Sequence, residues 1–387
     1  MIPNPIPGVL DASPSAVSTS QRPSLLNAVL AVRGLGGSDL HLAAGTPGRA
    51  RVDGRLVELA GAPWSADLLE DELRSLVPAG VWERFEHELE LDFSAETPGG
   101  RLRVNVFRQR GEVGAAIRVV PDTVRSLRQL GMPDAVARLA DLPRGLVLVS
   151  GPTGSGKSAT LAAMVDRINS TRDAHIVTIE DPIEYVHTGR RSVVTQREVD
   201  RDTKDFASAL RQALRQDPDV LLLGELRDRE TIAVALNAAE TGHLVLATLH
   251  TPDAAQTIDR ILDVFPGDQQ EQVRAQLAMT LKGVVAQTLL PRAIGAGRVA
   301  AAEVLLVTPA IANLIRTGRT HQIPTAMAAG SDAGMQTMDQ RLAELADTGV
   351  ISPAAAMRLA SSPDVLARLL AATVAEWDTQ GLAGGMS

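Results

Sequence analysis

Gly151-Pro152-Thr153-Gly154-Ser155-Gly156-Lys157-Ser158 decides how this chain is read. It fits G-x-x-x-x-G-K-[ST] at every fixed position. Leu146-Val147-Leu148-Val149 before it reads as a buried strand, and Ala159-Thr160-Leu161-Ala162-Ala163-Met164-Val165 after it as a helix. Strand, glycine-rich loop and helix is the order in which the motif works. Glycine reaches backbone angles closed to other residues, so successive amides turn inward as an anion cradle. The helix N-terminus adds partial positive charge beneath it. The pattern predicts a nucleoside triphosphate site made by Gly151, Pro152, Thr153, Gly154, Ser155, Gly156, Lys157, Ser158 and Ala159. Lys157 is expected on the β- and γ-phosphates and the Ser158 hydroxyl on Mg²⁺.

Downstream, His175-Ile176-Val177-Thr178-Ile179, Val220-Leu221-Leu222-Leu223 and Leu244-Val245-Leu246-Ala247-Thr248 are short apolar runs. Such runs suit parallel strands buried on both faces. Phe206, Ala209, Leu210, Ala213 and Leu214 fall at helical spacing between two of them. The stretch 134–308 is thus expected to be a parallel sheet covered by helices. From 309 to 380 the pattern turns helical, with Ile311, Leu314 and Ile315 on one face, and 381–387 reads as a loose tail.

Upstream, 1–22 is rich in proline, serine and small residues and is expected to be a disordered lead-in. A first α/β domain follows over 23–120. It opens with a helix near 24–32 and a strand from Ser38-Asp39-Leu40-His41-Leu42. Asp53-Gly54 suits the two-residue turn of a hairpin over 50–57. A helix is expected over 66–76. Arg101-Leu102-Arg103-Val104-Asn105-Val106-Phe107 alternates as a half-buried strand does, and 113–120 can pair back on it. The stretch 121–133 reads as a linker.

The chain has 387 residues, enough for two domains, and a net charge of −8 with both signs interspersed. That balance argues against nucleic acid as the partner. Cysteine is absent, which excludes disulfides, thiol chemistry and cysteine-ligated zinc. No apolar run is long enough for a bilayer, and no signal pattern opens the chain, so a cytoplasmic protein is expected.

A phosphate loop needs acids to hold magnesium and to order water. Glu180-Asp181-Pro182-Ile183-Glu184 and Gly224-Glu225 each follow a strand, at the carboxyl end where ligands of open α/β sheets gather. Glu225 and Ser158 are the candidate metal contacts, and Glu184 and Glu225 the candidate catalytic acids. His243 and His250 bracket the strand 244–248, and His250 at its carboxyl end suits a phosphate sensor. His41 and His187 read as surface or packing residues. Arg101, Arg103 and Arg118 lie on strands of the first domain. They suit either a solvated face or an arginine finger.

These stretches resemble the secretion and pilus motor ATPases, most closely the PilT-type retraction ATPases of the type IV pilus and twitching motility. The resemblance runs through Ser38-Asp39-Leu40-His41-Leu42, the phosphate loop, and Thr178-Ile179-Glu180-Asp181-Pro182-Ile183-Glu184-Tyr185-Val186-His187. It continues through Gln196-Arg197-Glu198-Val199, Asp217 to Asp228, Ala239 to Leu244 and Thr248-Leu249-His250-Thr251. It implies a PAS-like N-terminal domain and a RecA-like ATPase domain, working as a homohexamer on ATP and Mg²⁺. It implies an inner-membrane pilus platform protein as partner, with a second retraction ATPase as a further one. The motor would stand at the inner face of the cytoplasmic membrane and touch it only through partners. It gives Glu184 as general base, Glu225 as the acid of an atypical Walker B motif, and His243 and His250 as a histidine box. Arg103 and Arg118 match arginines that approach the nucleotide.

Two features bear on direction of force. The retraction branch carries Ala-Ile-Arg-Asn-Leu-Ile-Arg-Glu, where this chain has Ala310-Ile311-Ala312-Asn313-Leu314-Ile315-Arg316-Thr317. The four-cysteine zinc insert of assembly and type II secretion ATPases is missing. Retraction is the expectation. A pilus-assembly or type II secretion ATPase, a weakly hydrolysing accessory subunit and a nucleic-acid translocase stay open as rivals.

Overall fold

The computed structural model describes residues 23–371 apart from 53, 78, 79, 122 and 296. The expected lead-in and tail lie outside them. The chain divides into two compact units between Val120 and Pro121.

The first unit contains α1 (Leu25–Gly34), β1 (Asp39–Ala43), β2 (Arg49–Val52), β3 (Arg55–Glu58), α2 (Ala66–Arg74), α3 (Val81–Glu88), β4 (Glu90–Thr97), β5 (Gly100–Gln109) and β6 (Glu112–Val119). The six strands form one antiparallel sheet in the order β3-β2-β1-β6-β5-β4. This is the mixed, PAS-like α/β layout. Alternation on β5 buries Leu102, Val104 and Val106 against Val29, Leu69 and Phe85 of the helices. The opposite face carries a cross-strand row of Arg51, Asp39, Arg118, Arg103 and Ser94. Neither α3 nor β4 was expected. Glu90, Asp92, Ser94 and Glu96 alternate with Leu91, Phe93 and Ala95 along β4, so the period-2 signal of a strand was present in the sequence and was overlooked.

The second unit contains α4 (Asp134–Ala140), β7 (Gly145–Ser150), α5 (Lys157–Thr171), β8 (His175–Glu180), β9 (Val193–Glu198), α6 (Phe206–Ala213), β10 (Val220–Leu223), α7 (Arg229–Glu240), β11 (Leu244–Leu249), α8 (Ala254–Asp263), α9 (Gly267–Thr280), β12 (Leu281–Pro291) and β13 (Arg298–Leu306). Helices α10 (Pro309–Arg316), α11 (Ile323–Ala328), α12 (Met338–Asp347) and α13 (Pro353–Leu359) follow. The sheet runs β13-β12-β7-β11-β10-β8-β9. All neighbours are parallel except β12 and β13, so the expected all-parallel sheet carries one antiparallel edge. Every residue of β7, β10 and β11 is buried, because helices cover both faces.

Two domain edges differ from expectation. Leu127 and Met132, in the stretch read as a linker, pack in the core of the second unit beside Val136 and Val147. Ile311, Ile315, Ile323 and Met327, beyond the boundary expected at 309, are buried in the main core with Leu277 and Val284. Among the described residues, α12 and α13, with Ile351 and Leu366, build a separate small core on Leu290, Val299 and Ala301. Among the described residues no helix is long and apolar enough to cross a membrane.

Candidate nucleotide site

The loop 151–156 leaves β7 at its carboxyl end and enters α5, with Gly156 as the helix N-cap. Gly151, Gly154 and Gly156 take φ of +138°, +79° and +92°. A Cβ on Gly151 would stand 2.2 Å from the Gln287 carbonyl oxygen, so only glycine fits there. The Lys157 ammonium is held over the loop by the carbonyls of Gly151 (2.8 Å) and Pro152 (3.1 Å). Ser155 Oγ is buried, with no hydrogen-bond partner among the described residues. A curled loop, an ammonium on its rim and a spare hydroxyl make a donor-rich pocket that suits phosphate.

The loop rests on Gln287 of β12, which the sequence reading missed. Its Nε2 donates to the Ser155 carbonyl (2.8 Å), and its Oε1 accepts from the Thr160 hydroxyl (2.8 Å). It is 2% exposed. The available signal was an amide inside the apolar run from Val284 to Leu290. A buried polar side chain needs a reason, and here it is the back of the cradle.

Burial pushes the Lys157 ammonium below its ordinary pKa, while Glu225 and Glu184 pull it back up. Both acids therefore stand close enough to act on the same lysine. Glu225 follows β10. Its carboxylate accepts from Arg227 at 2.8 Å, and His250 Nε2 lies 3.5 Å away. Gly224 before it passes tightly by β8: a Cβ would lie 3.3 Å from the Phe206 ring and 3.4 Å from the Ile179 carbonyl oxygen. Thr248 donates its hydroxyl to the Gly224 carbonyl, and the Leu226 amide donates to the Thr248 carbonyl (3.0 Å). The ends of β8, β10 and β11 are thus stitched around Glu225.

Glu184 sits in the loop that leaves β8. Ile183 N–H donates to the Glu198 carboxylate (3.0 Å), and His187 N–H donates to Gln196 Oε1 (2.7 Å). Buried Asn169 of α5 donates to the Thr188 carbonyl (2.8 Å) and accepts from Arg190 N–H (2.9 Å). None of these three anchors was named as a functional residue from sequence.

His243 does not join this group. It precedes β11, so it lies at the amino edge of the sheet, where its carbonyl accepts from Gly145 N–H at the start of β7 (2.9 Å). Its ring nitrogen Nδ1 sits 2.9 Å from the Ala238 carbonyl. The six residues of β11 lie between it and His250, seven steps along the chain, or about 23 Å at ordinary strand rise. The expectation that both histidines serve one site is corrected for a single protomer. Arg103 and Arg118 belong to the first unit, facing one another across β5 and β6, with Arg118 paired to Asp39 at 3.0 Å. His41 and His187, read as surface or packing residues, each keep a buried ring nitrogen without a partner. Among the described residues no cluster of His, Asp and Glu could hold a metal by itself.

On α10, Thr308 caps the helix and Ile311 and Ile315 are buried. Ala312 packs partly against the same core, and Arg316 and Thr317 are exposed.

Residues 90–352 match the family model described as type II/IV secretion system protein. The type IV pilus retraction ATPase PilT of Pseudomonas aeruginosa is 50% identical over 85% of this chain and 96% of its own length. A twitching motility protein of Neisseria gonorrhoeae is 48% identical over 81% of this chain and 84% of its own. The crystal structure of the pilus retraction motor PilT with bound ADP superposes with a TM-score of 0.83. It is 46% identical and covers 90% of this chain and all of that one. This chain therefore belongs to the type II/IV secretion system protein family, as a nucleotide-binding ATPase of its PilT-like branch.

Proposed function

We propose that this protein is the Mg²⁺-ATP-driven motor of type IV pilus retraction, and so of twitching motility. The carrying observation is a phosphate cradle whose lysine feels both Glu184 and Glu225, in a chain half identical to PilT over nearly all of PilT's length.

The roles proposed for the residues are these. Amides of the loop and the Lys157 ammonium bind the phosphates and neutralise charge that builds on them. Ser158 and Glu225 would hold Mg²⁺, which supplies charge neutralisation across the β- and γ-phosphates. Glu184 takes a proton from the attacking water. His250, beside Glu225, reports the state of the γ-phosphate through that carboxylate. Arg103 and Arg118 act on a nucleotide as positive charge from the first unit. The motor is a homohexamer, and His243, the second member of the histidine box, stands at the edge of the sheet away from His250. The ring works from the cytoplasm on a membrane platform protein at the pilus base, with a second motor of the family as a further partner.

Turnover tests the chemistry. Lys157→Ala and Glu225→Ala should each abolish ATP hydrolysis, and normal rates in both would sink the assignment. Deletion in the host tests direction. Extra surface pili with lost motility support retraction, whereas bald cells would make the protein an assembly motor. Ala312 and Thr317 favour one second reading, a weakly hydrolysing accessory subunit. Robust turnover by the purified chain excludes it.

A further inference from the structure

The loop 182–188 is suspended in an unusual way. Among the described residues, no backbone-to-backbone hydrogen bond holds it, and side chains do so instead. Glu180, the last residue of β8, accepts the Thr178 hydroxyl (2.6 Å) and Gln196 Nε2 (3.2 Å) on Oε1. The backbone N–H of Glu184 faces the same carboxylate closely enough to lower its pKa. The same Gln196 amide donates to the Tyr185 carbonyl (2.8 Å), while its carbonyl accepts His187 N–H (2.7 Å). Parallel pairing of β8 with β9 sets Gln196 opposite Thr178, so the two strands deliver both halves of this arrangement. Gln196 thus holds the peptide groups of residues 185 and 187, while Glu180 holds Gln196 and faces the N–H of Glu184.

We propose that Glu180 is a positioning residue: together with Gln196 it clasps the backbone of Glu184 and so fixes where the Glu184 carboxylate stands. The inference rests on the reading of Glu184 as general base. A base must lie within hydrogen-bond reach of the water it activates, and misplacement of about 1 Å can cost a hundredfold. A loop without a backbone ladder gains that precision only from its side-chain anchors.

The clasp has a charge state. Burial raises the Glu180 pKa to about 7, opposed by the hydrogen bonds from Thr178, Gln196 and Glu184. The groups facing it are neutral Thr178 on its own strand, neutral Gln196 on β9, and Glu184, whose like charge raises the value further. Just past β10, a Cβ built on Gly224 would lie 3.5 Å from Glu180 Cα, so uncharged backbone borders the residue on that side. Three donors converge on this carboxylate. Protonation removes one acceptor site, so the clasp is tightest when Glu180 is ionised.

The experiment uses the purified full chain and measures kcat and KM for ATP between pH 6 and 9. Glu180→Gln, isosteric and neutral, and Gln196→Ala should each lower kcat by about tenfold or more with KM within about twofold, because only alignment is lost. Wild-type kcat should fall as pH drops through about 7, and Glu180→Gln should lack that limb. Glu180→Asp, which keeps the charge, should recover more rate than Glu180→Gln. Unchanged kcat in Glu180→Gln, or a rise in KM that matches the fall in kcat, overturns the proposal. Glu184→Gln separates the two readings. If it is inactive while Glu180→Gln is normal, the clasp alone is refuted. If it turns over normally, the base reading falls and takes the clasp with it.

Discussion

The phosphate loop and the loop that carries Glu184 border the same lysine, yet they are built by opposite means. The first is shaped by backbone. Its glycines set the curve, and one buried amide, Gln287, braces it from behind. The second has almost no backbone support and hangs from Glu180, Gln196, Glu198 and Asn169. A cradle for a constant ligand group can be rigid. A loop that presents a base to water needs a position that depends on adjustable groups. The contrast teaches that binding and catalysis in this site should be separable by mutation.

The largest effect should come from the cradle's most constrained point. Gly151→Ala forces a Cβ to 2.2 Å from the Gln287 carbonyl at φ +138°, where L-residues are strained. ATP binding should be lost outright. Gly154→Ala, at φ +79° with open space around its Cβ, should cost only about 1–2 kcal/mol of strain. Isothermal titration with ATP and urea unfolding of both variants read the difference. Equal behaviour would mean that the close approach to Gln287 does not shape the loop.

Gln287→Ala comes next. It leaves the Ser155 carbonyl and the Thr160 hydroxyl unpaired in a dry interior, at about 2–4 kcal/mol together. Unfolding free energy should fall by that order, and ATP affinity should fall with it. Weakened turnover at unchanged affinity would contradict a bracing role.

The two loops also differ in how far sequence reveals them. The cradle's determinants lie within eight consecutive residues whose spacing follows from phosphate geometry, so the motif and its flanks suffice. The buried strands β7, β10 and β11 were legible for a similar reason, since burial on both faces demands an unbroken apolar run. Gln287 lies more than a hundred residues from the loop it braces, and only the packing of β12 beside β7 brings it there. Edge strands fared worse: in β9, Thr195-Gln196-Arg197-Glu198 shows no apolar period, because its side chains work as anchors. His243 is a different case: the sequence already placed the strand 244–248 between it and His250, and only the family resemblance grouped the two as a histidine box. The linker reading failed because Leu127 and Met132 are isolated apolar residues that make no period, yet both are buried.

Asn169→Ala tests the suspended loop from the α5 side. Buried Asn169 holds both Thr188 and Arg190, and its loss should cost about 2 kcal/mol locally. Hydrogen exchange should rise across 183–191, and kcat should drop while ATP affinity stays within about twofold. Loss of affinity in step with rate would merge the two loops into one unit.

The smallest expected effect concerns stability and pH. Glu180 has a folded pKa of about 7 against an ordinary 4.5. The folded state therefore holds a proton that the unfolded chain has already released. This contribution to stability is fully present below about 4.5 and is lost as pH rises through about 7. At 1.36 kcal/mol per unit the ceiling is about 3 kcal/mol, and partial solvent access to the side chain lowers the expectation to about 1–2 kcal/mol. Glu180→Gln removes the titration. Its unfolding free energy relative to wild type should improve by about 1 kcal/mol between pH 5 and pH 8, measured by urea unfolding at both. A constant gap would show that the carboxylate titrates as it does in the unfolded chain. An anchor kept only for stability would not carry a charge that burial makes costly at working pH. A variant that is relatively more stable at pH 8 yet slower at turnover would show that the second loop retains Glu180 for alignment, at a cost the backbone-built cradle never incurs.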